Sequence, residues 1–404
     1  MTRYLLVLVA LAFAAFQSAY AVSDQQIRIA VIGDLERDNA IANHAMLLAA
    51  EIAVEHRGKT VGNAPVRIVP IDTGGYADRA VPGLRAASRL SRIDLAITID
   101  SAETALAVHH YARDYGMVFI HSGAATNALT SDYCAPTSFQ WMPGVYTYAA
   151  GARDGLADQG PKRWFYVASQ ESARSRLPEL LEEVLMLNRS ELIGGAEFKP
   201  GERNMEPYIR QAVNSGADVL GVIEPGVSTV SAIRMAYEHG LTPREKQLTA
   251  LQLSSSDIRQ IGLYTAAGLT TVSPFVWRIA DGSAHAALVE AWSRAFYARS
   301  GIMPDAVHAS VYSAIGHYLD AVAIVQDDDP GAVADQMRAM PIQDIFSENG
   351  RIGLDGQLVK DMYFVEVKRP DQSREAWDYF RVIDRFPAAR VFPIERVRQC
   401  GASL

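Results

Sequence analysis

The chain is expected to fold as an α/β protein of two Rossmann-like lobes with mainly parallel sheets. Two observations predict this. Short apolar runs alternate with helical stretches, and the alternation pauses once in mid-chain before it restarts. Buried runs that alternate with helices imply a parallel sheet covered on both faces. A length of 404 residues also suits two cores better than one.

The first set of strands is read at residues 27–33 (IRIAVIG), 66–72 (VRIVPID), 95–99 (LAITI) and 117–122 (MVFIHS). Helical patterns follow at 39–56, 77–91 and 103–114. Residues 123–145 are rich in Ser, Thr, Asn, Pro and Gly and read as a loop. The second set has strands at 164–169 (WFYVAS), 218–224 (DVLGVIE) and 248–253 (LTALQL). Its helices are expected at 174–188, 205–215 and 228–239. A third section opens with the apolar run 269–277, whose Pro274 suits an edge or a crossing but not a central strand. Helices at 284–299 and 306–326, a turn at 327–331 and a hairpin formed by 349–356 with 362–368 complete the reading. Two α/β units that share a C-terminal third imply lobes joined by several crossings, with a cleft between them.

The N-terminus reads as a secretory signal peptide, residues 1–21. Arg3 precedes an apolar run of 13 residues, 4–16, and Ala19-Tyr20-Ala21 presents small residues at a cleavage site. As a helix the run rises only about 20 Å, short of the hydrocarbon core of roughly 30 Å. The mature protein is therefore expected to be free in the periplasm. Without Arg3 its formal charge moves from −8 to −9, and no Lys/Arg block is present, so nucleic acid is not an expected partner. Two cysteines, Cys134 and Cys400, are either one disulfide or two unpaired thiols, and an oxidising compartment favours the disulfide. Closing so long a loop would stabilise by about 4–5 kcal/mol in the chain-entropy picture.

No motif demands catalysis. There is no G-x-G-x-x-G opening a helix, no P-loop, no G-x-S-x-G and no H-E-x-x-H. His109 and His110 are adjacent, so on a helix they point about 100° apart and suit packing better than a shared metal. No cofactor and no metal are expected. Ligands of open parallel sheets bind beyond the carboxyl ends of the strands. Two such ends are small and hydroxyl-rich: Asp100-Ser101-Ala102-Glu103 after LAITI, and Ser122 to Thr126 (SGAAT) after MVFIH. Small residues let a ligand reach the backbone, and hydroxyls with free N–H groups can hold a carboxylate or carbonyl. Ordinary N-capping by Ser101 and turn formation by SGAAT would leave the same signature.

The stretch HSGAATNALTSDYCAPTSFQW (121–141) resembles the branched-chain amino acid and amide group of periplasmic binding proteins. Further matches follow in order: Glu224-Pro225-Gly226 leading into STVSAIRMAYEHGL, AGLTTVSPFVW, VHASVYSAIGHYLDAV, and NGRIGLDGQLVKDMYFVEVKRPDQSREAWDYF. The resemblance covers roughly residues 27–400. It implies a type I periplasmic-binding fold with a three-crossing hinge. Lobe 1 is then 22–142 plus 274–357, lobe 2 is 143–273 plus 358–394, and a tail at 395–404 is tied by a Cys134–Cys400 disulfide. It implies a non-catalytic clamp, monomeric, that takes a small polar or aromatic, amino-acid-like ligand and delivers it to the permease of an ABC importer. A periplasmic sensor or accessory protein built on the same clamp is the alternative. The ligand positions implied are Ser101, Ala102, Glu103, Ser122, Ala124, Ala125 and Thr126 from lobe 1. Gln170, Glu171, Glu224 and Pro225 come from lobe 2, and Tyr146, Phe275 and Trp277 from the crossings. Three places depart from the family pattern. Gln170-Glu171-Ser172-Ala173-Arg174 replaces an Asp-Tyr-Ala-Phe-Gly-like segment, Gly144 replaces an Asp, and Glu36-Arg37-Asp38-Asn39 is more charged than the usual Gly-rich loop. They point either to a ligand more polar than usual for the family or to a chain that has lost the ordinary binding.

Overall fold

The computed structural model describes residues 26–35, 40–157, 160–170, 177–199, 202–223, 226–241 and 247–393. Six strands build the first sheet: β1 (Ile27–Gly33), β2 (Thr60–Val61), β3 (Ala64–Asp72), β4 (Leu95–Thr98), β5 (Val118–His121) and β6 (Ser138–Gln140). Their order is β2-β3-β1-β4-β5-β6, parallel except for the short β2. Alternate residues of β1 serve opposite faces, as strand geometry requires. Ile27, Ile29 and Val31 pack with the helices Ala40–His56 and Ala306–Val325. Ala30 and Ile32 pack with Ala77–Leu90 and Ala102–Asp114.

The second sheet holds β7 (Arg163–Ser169), β8 (Glu191–Phe198), β9 (Val219–Ile223), β10 (Gln247–Ala250) and β11 (Thr270–Ser273). After a separate pair, β12 (Arg351–Ile352) with β13 (Leu358–Val359), it also takes β14 (Met362–Val367) and β15 (Phe380–Phe386). The order is β15-β14-β11-β10-β9-β7-β8, with β14 and β15 antiparallel. Phe165 and Val167 of β7 face the helices Glu206–Asn214, Val227–Glu238 and Ser255–Ile261. Trp164, Tyr166 and Ala168 face Val145–Gly155 and Leu177–Met186.

Several sequence expectations are corrected. Residues 349–356 and 362–368 do not pair with each other: β12 pairs with β13, and β14 pairs with β11 and β15. Lys360 and Asp361 lie between them, where the chain passes from the β12–β13 pair to the second sheet. The run 269–277 stops as a strand at Ser273, directly before Pro274. The stretch expected as loop, 123–145, contains β6 and a turn of 3₁₀ helix at Ala128–Thr130.

The crossings are bonded side by side. Gln140 N donates to Gly356 O at 3.0 Å, and Gln357 Nε2 donates to Gln140 O and Met142 O, both at 3.1 Å. Lys360, 3% exposed, donates from Nζ to Pro274 O and to Asp361 O. Beyond them, Trp377 of the loop between β14 and β15 enters the first-lobe core, where its carbonyl accepts from Trp277 Nε1 at 2.8 Å.

Candidate functional site

Each sheet follows the order 2-1-3-4-5 across its parallel strands, so the order of strand succession reverses between β1 and β4, and again between β7 and β9. Crevices open at the carboxyl ends of the strands at such reversals. On the first lobe the ends of β3, β4 and β5 are bonded together.

Ser101 caps the helix Ala102–Asp114, accepting from Thr104 N at 3.2 Å. The amides of Ala102 and Glu103 lie in the first turn, where an α-helix offers no intrahelical acceptor and carries partial positive charge. Ser101 and Ala102 are half-buried and Glu103 is exposed. The loop after β5 is joined to this end. Ser122 N donates to Thr98 O at 2.8 Å, and Ala124 N donates to Asp100 O at 3.1 Å. Gly123 lies against the Asp100 backbone so closely that a Cβ there would stand 2.3 Å from Asp100 O.

His121 fixes the joint. Its Nε2 lies 2.8 Å from Ala124 O, and its Nδ1 lies 2.9 Å from Thr98 Oγ1. Burial pushes its pKa down to about 4, so the ring is neutral at pH 7. A carbonyl only accepts, so Nε2 carries the proton and Nδ1 accepts from the Thr98 hydroxyl. Asp100 is held by Thr73 Oγ1 at 2.7 Å. Burial raises its pKa above the ordinary carboxylate value, the Thr73 bond opposes this, and the charges of Asp34 and Asp72 add to the rise. The loops after β4 and β5 therefore form one platform.

The other positions expected in the site fall as follows. Ser122 is fully buried, and its hydroxyl accepts from Ser310 Oγ at 3.0 Å. Thr126 is buried, with its Oγ1 accepting from Ala128 N at 3.2 Å. Ala124 is half-buried. Ala125 and Tyr146 are half-buried and both pack on a second-lobe core cluster, so the SGAAT loop reaches across to the opposite lobe. Gln170, half-buried, follows the last residue of β7. Phe275 and Trp277 lie in the first-lobe core: Phe275 meets Trp292 edge-on at 6.2 Å, and Trp277 packs under Arg278 at 4.4 Å. Glu171, Glu224, Pro225, Cys400 and the segment 36–39 lie outside the described residues. Cys134 is half-buried and is not a free thiol. Among the described residues no group of three or more His, Cys, Asp or Glu could hold a metal ion.

The sequence reading named Asp100 as part of the first loop but missed His121, Thr73 and Ser310 as supports of these loops. His121 left a signal: a polar ring inside the buried run MVFIHS must find partners, since an unpaired buried polar group is costly.

A family model described as periplasmic binding protein matches residues 26–374. The chain belongs to that family. Its members bind solutes rather than transform them. Among solved structures, a periplasmic binding protein from Burkholderia mallei is 27% identical, with a TM-score of 0.85 over 93% of this chain and 99% of the other. A branched-chain amino acid ABC transporter periplasmic ligand-binding protein from Burkholderia xenovorans LB400 is 22% identical, with a TM-score of 0.84 over 93% and 99%. An ABC transporter solute-binding protein from R. palustris, in complex with benzoate, is 15% identical, with a TM-score of 0.77 over 89% and 96%. No curated protein sequence matches the chain. This binding protein thus has the two-lobed type I fold of its family, and the family places it in the periplasm.

Proposed function

We propose that this binding protein captures a small organic carboxylate between its lobes and hands it to the permease of an ABC importer. The observation that carries the reading is the joined platform: two small, hydroxyl-bearing loops locked together through Ala124 N to Asp100 O and through His121. In this reading the ligand carboxylate lies at the N-terminus of Ala102–Asp114, taking the Ala102 and Glu103 amides and the Ser101 hydroxyl. Tyr146 and Ala125 border it on the side of the second lobe. Gln170, Glu171, Glu224 and Pro225 complete the site from that lobe, and the charge in Gln170–Arg174 suits a polar group on the ligand. The benzoate held by the R. palustris protein and the amino acid transporter of the B. xenovorans protein support a carboxylate as the common chemistry.

The lobes in this reading are 22–142 plus 274–357 and 143–273 plus 358–394, in a monomer freed of residues 1–21 on export. Cys134 pairs with Cys400, tying the C-terminal tail; the chain has two cysteines and Cys134 is not a free thiol. Non-reducing peptide mapping should recover one linked pair, and two alkylated thiols would refute it.

The binding test is a thermal-shift screen of the mature protein with L-leucine, L-valine, benzoate and 4-hydroxybenzoate, beside acetamide and urea as neutral controls. A ligand bound only by the native state raises the melting point. Carboxylates should raise it and the neutral compounds should not. Ser101→Ala should weaken the best carboxylate about tenfold, the worth of one hydrogen bond to a charged group. It should also lower the stability of the free protein by about 0.5–2 kcal/mol through the lost cap. Binding that Ser101→Ala leaves intact would remove this end of the helix from the site.

A further inference from the structure

The helix Ala306–Val325 belongs to the first lobe. It packs on Ala40–His56, Ser310 meets Ser122, and Ser313 accepts from Trp141 Nε1 at 3.0 Å. Asp305 is its N-cap, and Asp305 N donates to His308 Nδ1 at 3.0 Å. Its carboxylate, however, reaches into the opposite lobe. Oδ1 accepts from Ser255 N at 2.9 Å and Oδ2 from Ser256 Oγ at 3.4 Å. Ser255 and Ser256 open the helix Ser255–Ile261, which follows β10 and packs into the second-lobe core through Ile258 and Ile261. That helix already has its own reciprocal cap, Ser254 with Asp257: Ser254 N donates to Asp257 Oδ2 at 2.9 Å and Asp257 N to Ser254 Oγ at 3.0 Å. Asp305 therefore takes an orphan donor that the local cap leaves over.

We propose that Asp305 is a cross-lobe clasp that favours the closed form, by capping the first turn of the opposite lobe's helix Ser255–Ile261. The inference rests on capture by closure of the lobes. A contact made only in one state shifts the equilibrium toward that state by its own free energy. Asp257 and His308 are the titratable groups that face it. The seam is dry enough to push both Asp305 and Asp257 up to about 6. What the clasp needs is an oxygen that reaches the Ser255 amide.

Three variants separate reach from charge. Ser255→Pro deletes the amide that Asp305 grips. Proline is tolerated at the first helical position, and Ser254 before it already has extended geometry, φ −94 and ψ 163. Asp305→Ser keeps a favoured cap for its own helix but is too short to cross. Asp305→Asn keeps the reach and loses the charge. Small-angle X-ray scattering of the ligand-free proteins should give a larger radius of gyration for Ser255→Pro and Asp305→Ser than for the wild type, and no increase for Asp305→Asn. If circular dichroism shows that Ser255→Pro does not fold, Asp305→Ser alone decides. Curves of the folded variants that superimpose on the wild type overturn the clasp. The measurement uses no solute, so its outcome is separate from the screen for carboxylates. Failure of that screen would strike the capture reading while the scattering comparison still stands.

Discussion

Replacing Gly123 by alanine should cost about 2–4 kcal/mol of stability and abolish solute binding. A Cβ at this position would stand 2.3 Å from Asp100 O, 2.6 Å from Ile99 C and 2.8 Å from Asp100 N. All three are backbone atoms, so no side chain can swing aside. The loops after β4 and β5 must separate, and the bond from Ala124 N to Asp100 O goes with them. Overpacking of a tight site costs about 1–3 kcal/mol. The broken hydrogen bond adds about 1 kcal/mol. Binding suffers more than stability, because the two loops must present their donors at one spacing. Scanning calorimetry and titration with the carboxylate that gives the largest thermal shift would check both. An unchanged melting point with unchanged affinity would mean that the loops are not joined as described.

The second large effect concerns Lys360. Its ammonium donates to Pro274 O and to Asp361 O at 3.1 Å and stands 4.6 Å from the centre of the Phe346 ring. Burial pushes its pKa down to about 7, with Asp361 and Asp344 opposing and Arg385 assisting. In the unfolded chain a lysine keeps its proton to about pH 10.4. Between pH 7 and that value the unfolded state therefore binds more protons than the folded one, and stability rises with pH. One group contributes at most about 1.4 kcal/mol per pH unit, so urea unfolding at pH 7, 8 and 9 should gain about 2–3 kcal/mol in total. His109 and His121, both near 4, and Asp94, Asp257 and Asp305, all near 6, titrate below this window. Lys360→Met should flatten the slope. Equal slopes in the two proteins would show that Lys360 stays charged inside the fold.

What the sequence made legible follows from burial. β1 is found at the residues its apolar run marks, 27–33, because a strand covered on both faces needs apolar residues throughout. Edge strands lack that mark. β8, ELIGGAEF, carries a glutamate near each end and two glycines, and most of its residues keep some contact with solvent. β15, FRVIDRF, is interrupted by Arg381, Asp384 and Arg385 and pairs on one side only. Neither contains an unbroken apolar run, and both were passed over. The hairpin reading erred by joining neighbours in sequence across a point where the chain changes lobe.

The candidate site divides in the same way. Loop composition marked Ser101 and the SGAAT turn, since small and hydroxyl-bearing residues at a strand end are visible in the sequence. The supports Thr73, Asp100 and His121 act through contacts between strands distant in the chain, so a local pattern can mark His121 as a buried polar ring or Asp100 as a loop residue but cannot name their partners. Phe275 and Trp277 show the limit from the other side. An aromatic pair beside a crossing can face a cleft or a core, and residue type alone does not separate the two. Their burial beside Trp292 and Trp377 follows from helix 284–300 and the β14–β15 loop closing over them.

The Gln357 amide binds two carbonyls of the neighbouring crossing while Lys360 ties the third to Pro274. Connectors laced together in this manner resist sliding and twisting far more than bending. If the lobes close as proposed, these ties leave them one cheap movement, a swing like that of a book on its spine, which would return the same two walls to the same facing positions.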